Sequence, residues 1–287
     1  MIKKGGFLLS NWAYLIWFAF YFTISVLFIM MFTKVIEEAI IFTAVSYLIT
    51  LAIALSPIGE FIIRVKLGIK GIVTAQDIEK LSPIFNEVYQ TVLEVAPNIS
   101  RSIKLYIIDD YSINALAVGR NTIALTLGAV HGLNDFDLKG LLAHEFGHIA
   151  YGDTKSLLLA SVGNGFFIVI IKILDITQKV LTAIFSLFQN AWAIVWFIKL
   201  IVFLLNIAIK IFYGISAIIL SLNSRASEYL ADSFAVRAGY GFNLIDVLYI
   251  INQVHPDGVQ GIKGNLTKSH PYLTDRIARL ESIVNSR

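Results

Sequence analysis

Charged residues are absent from Gly5 to Thr33, and within that run Trp12 to Phe32 forms an apolar core of 21 residues. That length matches a helix crossing a bilayer. Lys3 and Lys4 precede it, as they would a signal peptide. The run is longer than a signal h-region and has no small-x-small cleavage site, so an uncleaved span is expected. Trp12, Tyr14 and Trp17 suit an interfacial belt at its start. After a short turn holding Lys34, Glu37 and Glu38, Ala39 to Gly59 gives 21 more uncharged residues, read as a second span closing a helical hairpin. Lys3 and Lys4 before the pair, and Arg64, Lys66 and Lys70 after it, outnumber Lys34 between the spans. The positive-inside rule then puts the N-terminus and the segment after Gly59 in the cytoplasm.

Residues 60–155 have ordinary soluble character. Ile78, Leu81, Ile84, Phe85, Val88 and Val92 recur at helical spacing within Thr74 to Val95, with Pro83 expected near the first turns. Ile103 to Ile108 is a strand candidate. Ala115 to Val118 and Thr122 to Leu127 read as a hairpin around Gly119-Arg120-Asn121. Leu138, Leu141, Leu142, Phe146 and Ile149 then make the apolar stripe of a helix that either Asn134 or Asp135 can cap, and the strands are expected to lead directly into it.

Apolar character returns at Ser156 to Ile171, 16 uncharged residues, pauses at Lys172, Asp175 and Lys179, and persists to Leu222 with only Lys199 and Lys210. A second membrane hairpin is expected, one leg near 156–174 and the other within about 190–220, the part between them lying along the interface. Lys199 and Lys210 can snorkel or face the bundle. Ser224 to Ala238 is a helix pattern, Pro256 to Thr267 a Gly-containing loop, and Tyr272 to Val284 an amphipathic helix.

Composition supports this layout. Apolar residues make up 57% of the 287 residues and charged ones 15%, and the mean hydropathy is +0.74, beyond the usual soluble range. The net charge of +3, without a long basic run, gives no sign of nucleic acid as a partner. The absence of cysteine excludes disulfides and thiolate metal ligands, so any metal must be held by His, Asp or Glu.

The chemistry is concentrated in Leu141 to Asp153, L-L-A-H-E-F-G-H-I-A-Y-G-D. His144 and His148 are four apart, one helical turn, and can grip one metal ion together. Glu145 projects beside that ion, where a carboxylate can take a proton from water. This is the H-E-x-x-H pattern of zinc peptidases. Catalytic zinc usually has three protein ligands, and Glu228 in S-R-A-S-E-Y-L-A-D is the best candidate for the third. Asp232, one turn later on the same face, can accept the outer N–H of a ligand histidine. The competing reading of Glu228 and Asp232 is a solvated acidic helix edge. His148 and Glu228 can meet only if the chain between them crosses the membrane an even number of times, as a second hairpin would. Asp153, five after His148, either holds the helix end or contacts a neighbouring side chain. His131 and His255 have no partner pattern.

The paired N-terminal spans, H-E-F-G-H, E-Y-L-A-D and S-H-P-Y-L-T-D-R (Ser269 to Arg276) together resemble the HtpX-like membrane zinc metallopeptidases, heat-shock proteases related to the CAAX prenyl proteases. The resemblance implies a mainly α, multi-pass membrane protein with a gluzincin-type α+β cytoplasmic metallopeptidase domain and a small β-sheet. Its parts would be a transmembrane hairpin (1–60), a first catalytic segment (61–155), a second hairpin (156–222) and a second catalytic segment (223–287). It further implies zinc on His144, His148 and Glu228, Glu145 as base, Asp232 as support and His270 and Arg276 completing the site. His270 would stabilise developing oxyanion charge, and Arg276 is expected to pair with a carboxylate such as Asp232. Asn114, Ala115, Leu116 and Ala117 would form an edge strand onto which an extended peptide adds. The expected substrates are misfolded membrane proteins. The rivals are a CAAX-type prenyl-peptide protease and a non-catalytic membrane scaffold with a structural zinc site.

Overall fold

The computed structural model describes residues 4–72, 74–154, 172–173, 175–188, 192–254 and 272–286. The expected leg at 156–174 (apart from 172–173), the loop at Pro256 to Thr267 and His270 lie outside the described residues.

The apolar N-terminal run forms α1 (Lys4–Thr33), and Lys34, at a positive φ of 60°, reverses the chain into α2 (Ile36–Ala54). The two helices pack through Tyr47, whose ring meets Phe18 edge-on at 4.7 Å and also contacts Tyr21 and Phe22. Among the described residues α2 is the one helix long and apolar enough to cross a membrane. The expected second span, Ala39 to Gly59, ends early, at Ala54. Ser56 adopts extended dihedrals and its hydroxyl caps Ile58 N–H, while Pro57, which has no N–H, takes the first position of a new helix, α3 (Pro57–Lys66).

The segment after α3 is built on a four-stranded sheet of order β1-β2-β4-β3, comprising β1 (Ile69–Lys70), β2 (Lys104–Ile108), β3 (Ala115–Val118) and β4 (Thr122–Thr126). β2 and β4 run parallel, Lys104 opposite Thr122, while β3 folds back antiparallel on β4 through Gly119, whose φ is +63°. Every residue of the central β4 is buried, and β3 is a sheet edge.

Helix α4 (Ala75–Val95) is capped by Thr74 and buries Leu81, Ile84, Phe85, Val88 and Val92. Pro83 sits well inside it rather than near its first turns. The strands do not lead directly into the metal helix. Thr126 caps a short α5 (Leu127–Gly132) first, and Gly128 there sits so close to the Tyr111 and Ser112 carbonyls that a side chain would collide with them.

Helix α6 (Asp135–Tyr151) is started by Asn134, whose side chain accepts from Asp137 N–H at 2.9 Å, and is stopped by Gly152 in the left-handed region. It packs against α7 (Trp192–Arg237), α8 (Gly241–Val254) and α4, and α9 (Leu273–Asn285) closes the core over α7 and α8. The apolar segment after Trp192 and the expected helix Ser224 to Ala238 are one continuous 46-residue α7, roughly 70 Å long at 1.5 Å per residue. Two glycines let α6 reach its neighbours. A Cβ on Gly140 would lie 2.5 Å from the Asn243 carbonyl carbon of α8, and one on Gly147 would lie 2.9 Å from Ala231 Cα of α7.

Candidate metal centre

The contact at Gly147 organises the site. Because α6 and α7 touch there almost backbone to backbone, Glu228, about one turn before Ala231, stands beside the turn carrying His144 and His148. The imidazoles are edge to face at 87°, with their Nε2 atoms 3.2 Å apart. Glu228 presents Oε2 to His144 Nε2 at 3.4 Å and Oε1 to His148 Nε2 at 3.5 Å. A tetrahedral ion with bonds of 2.0–2.1 Å separates its ligand atoms by about 3.3 Å. The separation of the two Nε2 atoms matches that spacing, and each nitrogen has one Glu228 oxygen at a similar distance.

Each imidazole is held from its far side. His144 Nδ1 lies 3.0 Å from Asp232 Oδ1, and His148 Nδ1 lies 3.3 Å from Asp153 Oδ2. A carboxylate on Nδ1 favours the Nδ1–H tautomer, which leaves the Nε2 lone pair facing inward. Two inward nitrogens and a carboxylate at this separation favour a cation between them, a shared proton or a metal ion. The donor set, two nitrogens and an oxygen without sulfur, fits a divalent zinc-type ion.

Glu145 also has a carboxylate oxygen within 4.8 Å of both ring nitrogens. Distance alone leaves it competing with Glu228 for the third ligand position. Glu228 addresses both Nε2 atoms at once, and Glu145 flanks them from their own helix.

Arg276, from α9, closes the cluster. Its Nε and Nη2 donate to the two Asp232 oxygens at 2.9 and 2.6 Å, and its Nη1 is 3.0 Å from Glu228 Oε2. The expected pairing with Asp232 is present, extended to Glu228. All six charged or ionisable partners other than His148 (His144, Glu145, Asp153, Glu228, Asp232 and Arg276) are buried.

The electrostatics follow from this crowding. Burial opposes the charged form of His144, but the Asp232 and Glu228 carboxylates outweigh it and hold its pKa above the ordinary histidine value. Burial acts likewise on His148, and Asp153, Glu228 and Glu145 overturn it more strongly, raising its pKa well above that value. For Asp232 burial pushes upward, and Arg276 and His144 reverse it to a net lowering. Among the described residues four carboxylates (Glu145, Asp153, Glu228, Asp232) gather around one guanidinium, a charge balance that favours added positive charge.

Among the expected site residues, His144, Glu145, His148, Glu228, Asp232 and Arg276 converge. Asn114 to Ala117 lie along β3 and the residue before it, with β3 packed against α6. Asp153, which the sequence left between two roles, is the partner of His148, delivered by the reversal at Gly152.

The family model described as "Peptidase family M48" matches residues 84–284. A "Protease HtpX homolog" of Bacteroides fragilis (strain YCH46) is 34% identical over 141 residues, covering 46% of this chain and 41% of that protein. Another, of Leuconostoc citreum (strain KM20), is 25% identical over 292 residues, covering 85% of this chain and 92% of that protein. The match thus takes in less than half the length of the Bacteroides relative. Among solved structures, S. mikatae Ste24p is similar in fold, with a TM-score of 0.50 at 18% identity over 98% of this chain and 66% of that one.

Proposed function

The chain belongs to peptidase family M48 as an HtpX-like member, and from that premise we propose that it is a membrane-embedded zinc endopeptidase acting on misfolded membrane proteins. The observation carrying this reading is the cluster of His144 Nε2 and His148 Nε2, 3.2 Å apart, with Glu228 Oε2 3.4 Å from the first and Oε1 3.5 Å from the second. Zinc in such a site lowers the pKa of water toward 7 and polarises a carbonyl. Glu145, beside the ligands on α6, takes the proton of the attacking water and returns it to the leaving amine. Asp232 and Asp153 fix the tautomers of His144 and His148, and Arg276 neutralises part of the surplus carboxylate charge. His270 is assigned the stabilisation of developing oxyanion charge. An extended substrate segment adds to the edge strand at Asn114, Ala115, Leu116 and Ala117, where main-chain pairing tolerates varied side chains.

The reading places α1 and α2 across the cell membrane as a hairpin, with a second hairpin between His148 and Glu228, and puts the active site and N-terminus on the cytoplasmic side. Support comes from the apolar length of α2 and from the need for His148 and Glu228 to share one side of the bilayer. The test is cleavage of an unfolded polypeptide by the purified full chain, with zinc content measured alongside. Glu145→Gln should abolish cleavage and leave zinc bound. Bound zinc without cleavage by the parent chain would favour a structural zinc site, and selective cleavage of prenylated C-terminal peptides would favour a CAAX-type protease.

A further inference from the structure

Helix α3 is amphipathic in the reverse sense. Two of its three charged residues, Glu60 and Arg64, one turn apart, face the sheet. Glu60, 8% exposed, accepts from Arg120 N–H at 2.5 Å and from the Thr122 hydroxyl at 3.3 Å. Arg64 donates to the Tyr106 hydroxyl of β2 and lies 4.9 Å from the centre of its ring. The outward positions are apolar: Ile58, Phe61, Ile62 and Val65 are 60%, 57%, 44% and 64% exposed. In water this orientation would be the wrong way round, because four large apolar side chains on a ten-residue helix remain hydrated while a carboxylate is desolvated. The stripe continues the apolar surface of α2, where Leu48 and Ile49 are likewise exposed. The helix axis is reset at Ser56-Pro57, so α3 is a separate segment and not the end of the span. Exposed Lys66 ends the helix and exposed Lys70 follows in β1, both suited to anionic headgroups. These residues precede the 84–284 segment matched by the family.

We propose that α3 is an interfacial helix whose partner is the bilayer surface. Ile58, Phe61, Ile62 and Val65 seat at the headgroup–acyl boundary, about 5–10 Å deep. The inward face, through Glu60 and Arg64, grips the turn of the β3–β4 hairpin and strand β2. The helix thereby sets the height of the catalytic sheet above the membrane. The inference goes beyond the proposed protease activity and shares with it only the reading of α2 as a span.

The chain has no cysteine, so single labels can be placed without background. Ile58→Cys, Phe61→Cys, Val65→Cys, Lys66→Cys, Leu48→Cys and Tyr111→Cys, each in the full chain, are spin-labelled and reconstituted into vesicles of phosphatidylcholine with phosphatidylglycerol. Collision with oxygen is compared with collision with a water-soluble nickel complex. At 58, 61 and 65 the oxygen-to-nickel ratio should exceed that at Tyr111→Cys several-fold, approach that at Leu48→Cys, and fall at Lys66→Cys. Nickel access at 61 and 65 equal to that at 111 overturns the proposal, as does exclusion of both probes, which would mean a protein cover. Water access at Leu48→Cys as well would overturn the span reading itself, a result distinguishable from failure at α3 alone.

Discussion

His144 Nδ1 stands 3.0 Å from Asp232 Oδ1, and that same carboxylate receives two hydrogen bonds from Arg276. One side chain thus orients a ligand candidate and anchors a buried cation. His148 is served by Asp153, which has no such second duty among the described residues. The two aspartates should therefore behave differently when neutralised. Asp232→Asn and Asp153→Asn should each weaken zinc affinity by about 10–100-fold, measured by chelator competition. Only Asp232→Asn should also lower stability strongly, by about 3–5 kcal/mol, because it removes a charge partner of Arg276. Equal stability losses in the two variants would contradict this division.

Arg276→Met removes the guanidinium paired with Asp232 and Glu228. Without metal it should destabilise the fold by about 3–5 kcal/mol, the usual effect of leaving buried charge uncompensated. Zinc restores positive charge beside those carboxylates, so the loss should shrink when the metal is saturating. Thermal unfolding of variant and parent, with zinc and with chelator, reads the difference directly. An identical loss in both conditions would show that Arg276 and the metal act independently.

Gly140→Ala tests the packing that holds α6 in place. Alanine gains about 1 kcal/mol in helix propensity, yet its Cβ would fall 2.5 Å from the Asn243 carbonyl carbon. Overpacking against backbone costs about 1–3 kcal/mol, so net destabilisation is expected. Gly132→Ala, whose Cβ would meet nothing nearer than Ile113 Cδ1 at 3.6 Å, should be neutral or slightly stabilising. Denaturant midpoints of the two variants give the comparison.

Glu60→Ala should destabilise by about 1–3 kcal/mol, because the buried Thr122 hydroxyl and the Arg120 N–H lose their acceptor. Hydrogen exchange should show the loss concentrated at residues 119–122. A uniform change across the sheet would contradict the local role given to Glu60.

What the residues disclosed in advance follows from the range of the interactions. The metal helix was legible because its apolar stripe, its Asn134 cap and the i, i+4 histidines are all local. The hairpin at Gly119 was legible for the same reason, since its turn requires a left-handed residue. Glu228 and Asp232 could be named because two histidines leave a zinc site one ligand short and the next acidic helix offered both groups at one turn's spacing. Segments of six to ten residues were not legible. α5 has too few residues to show a period, and α3 inverts the usual burial of polar and apolar faces, so its first three residues read as the end of the span and the rest as ordinary soluble chain. The parallel pairing of β2 with β4 joins residues 18 apart across a hairpin, and no local pattern encodes it. Asp153 reaches His148 only because Gly152 turns the chain back, a three-dimensional fact that spacing alone left between two roles.

The most direct test of the central claim is the zinc stoichiometry of the purified full chain carrying Glu228→Gln, set beside that of Glu145→Gln. If His144, His148 and Glu228 hold the metal, Glu145→Gln should retain about one zinc per chain and Glu228→Gln should lose nearly all of it at the same free-metal concentration. Retention by Glu228→Gln together with loss by Glu145→Gln would exchange the roles of the two acids and contradict the account.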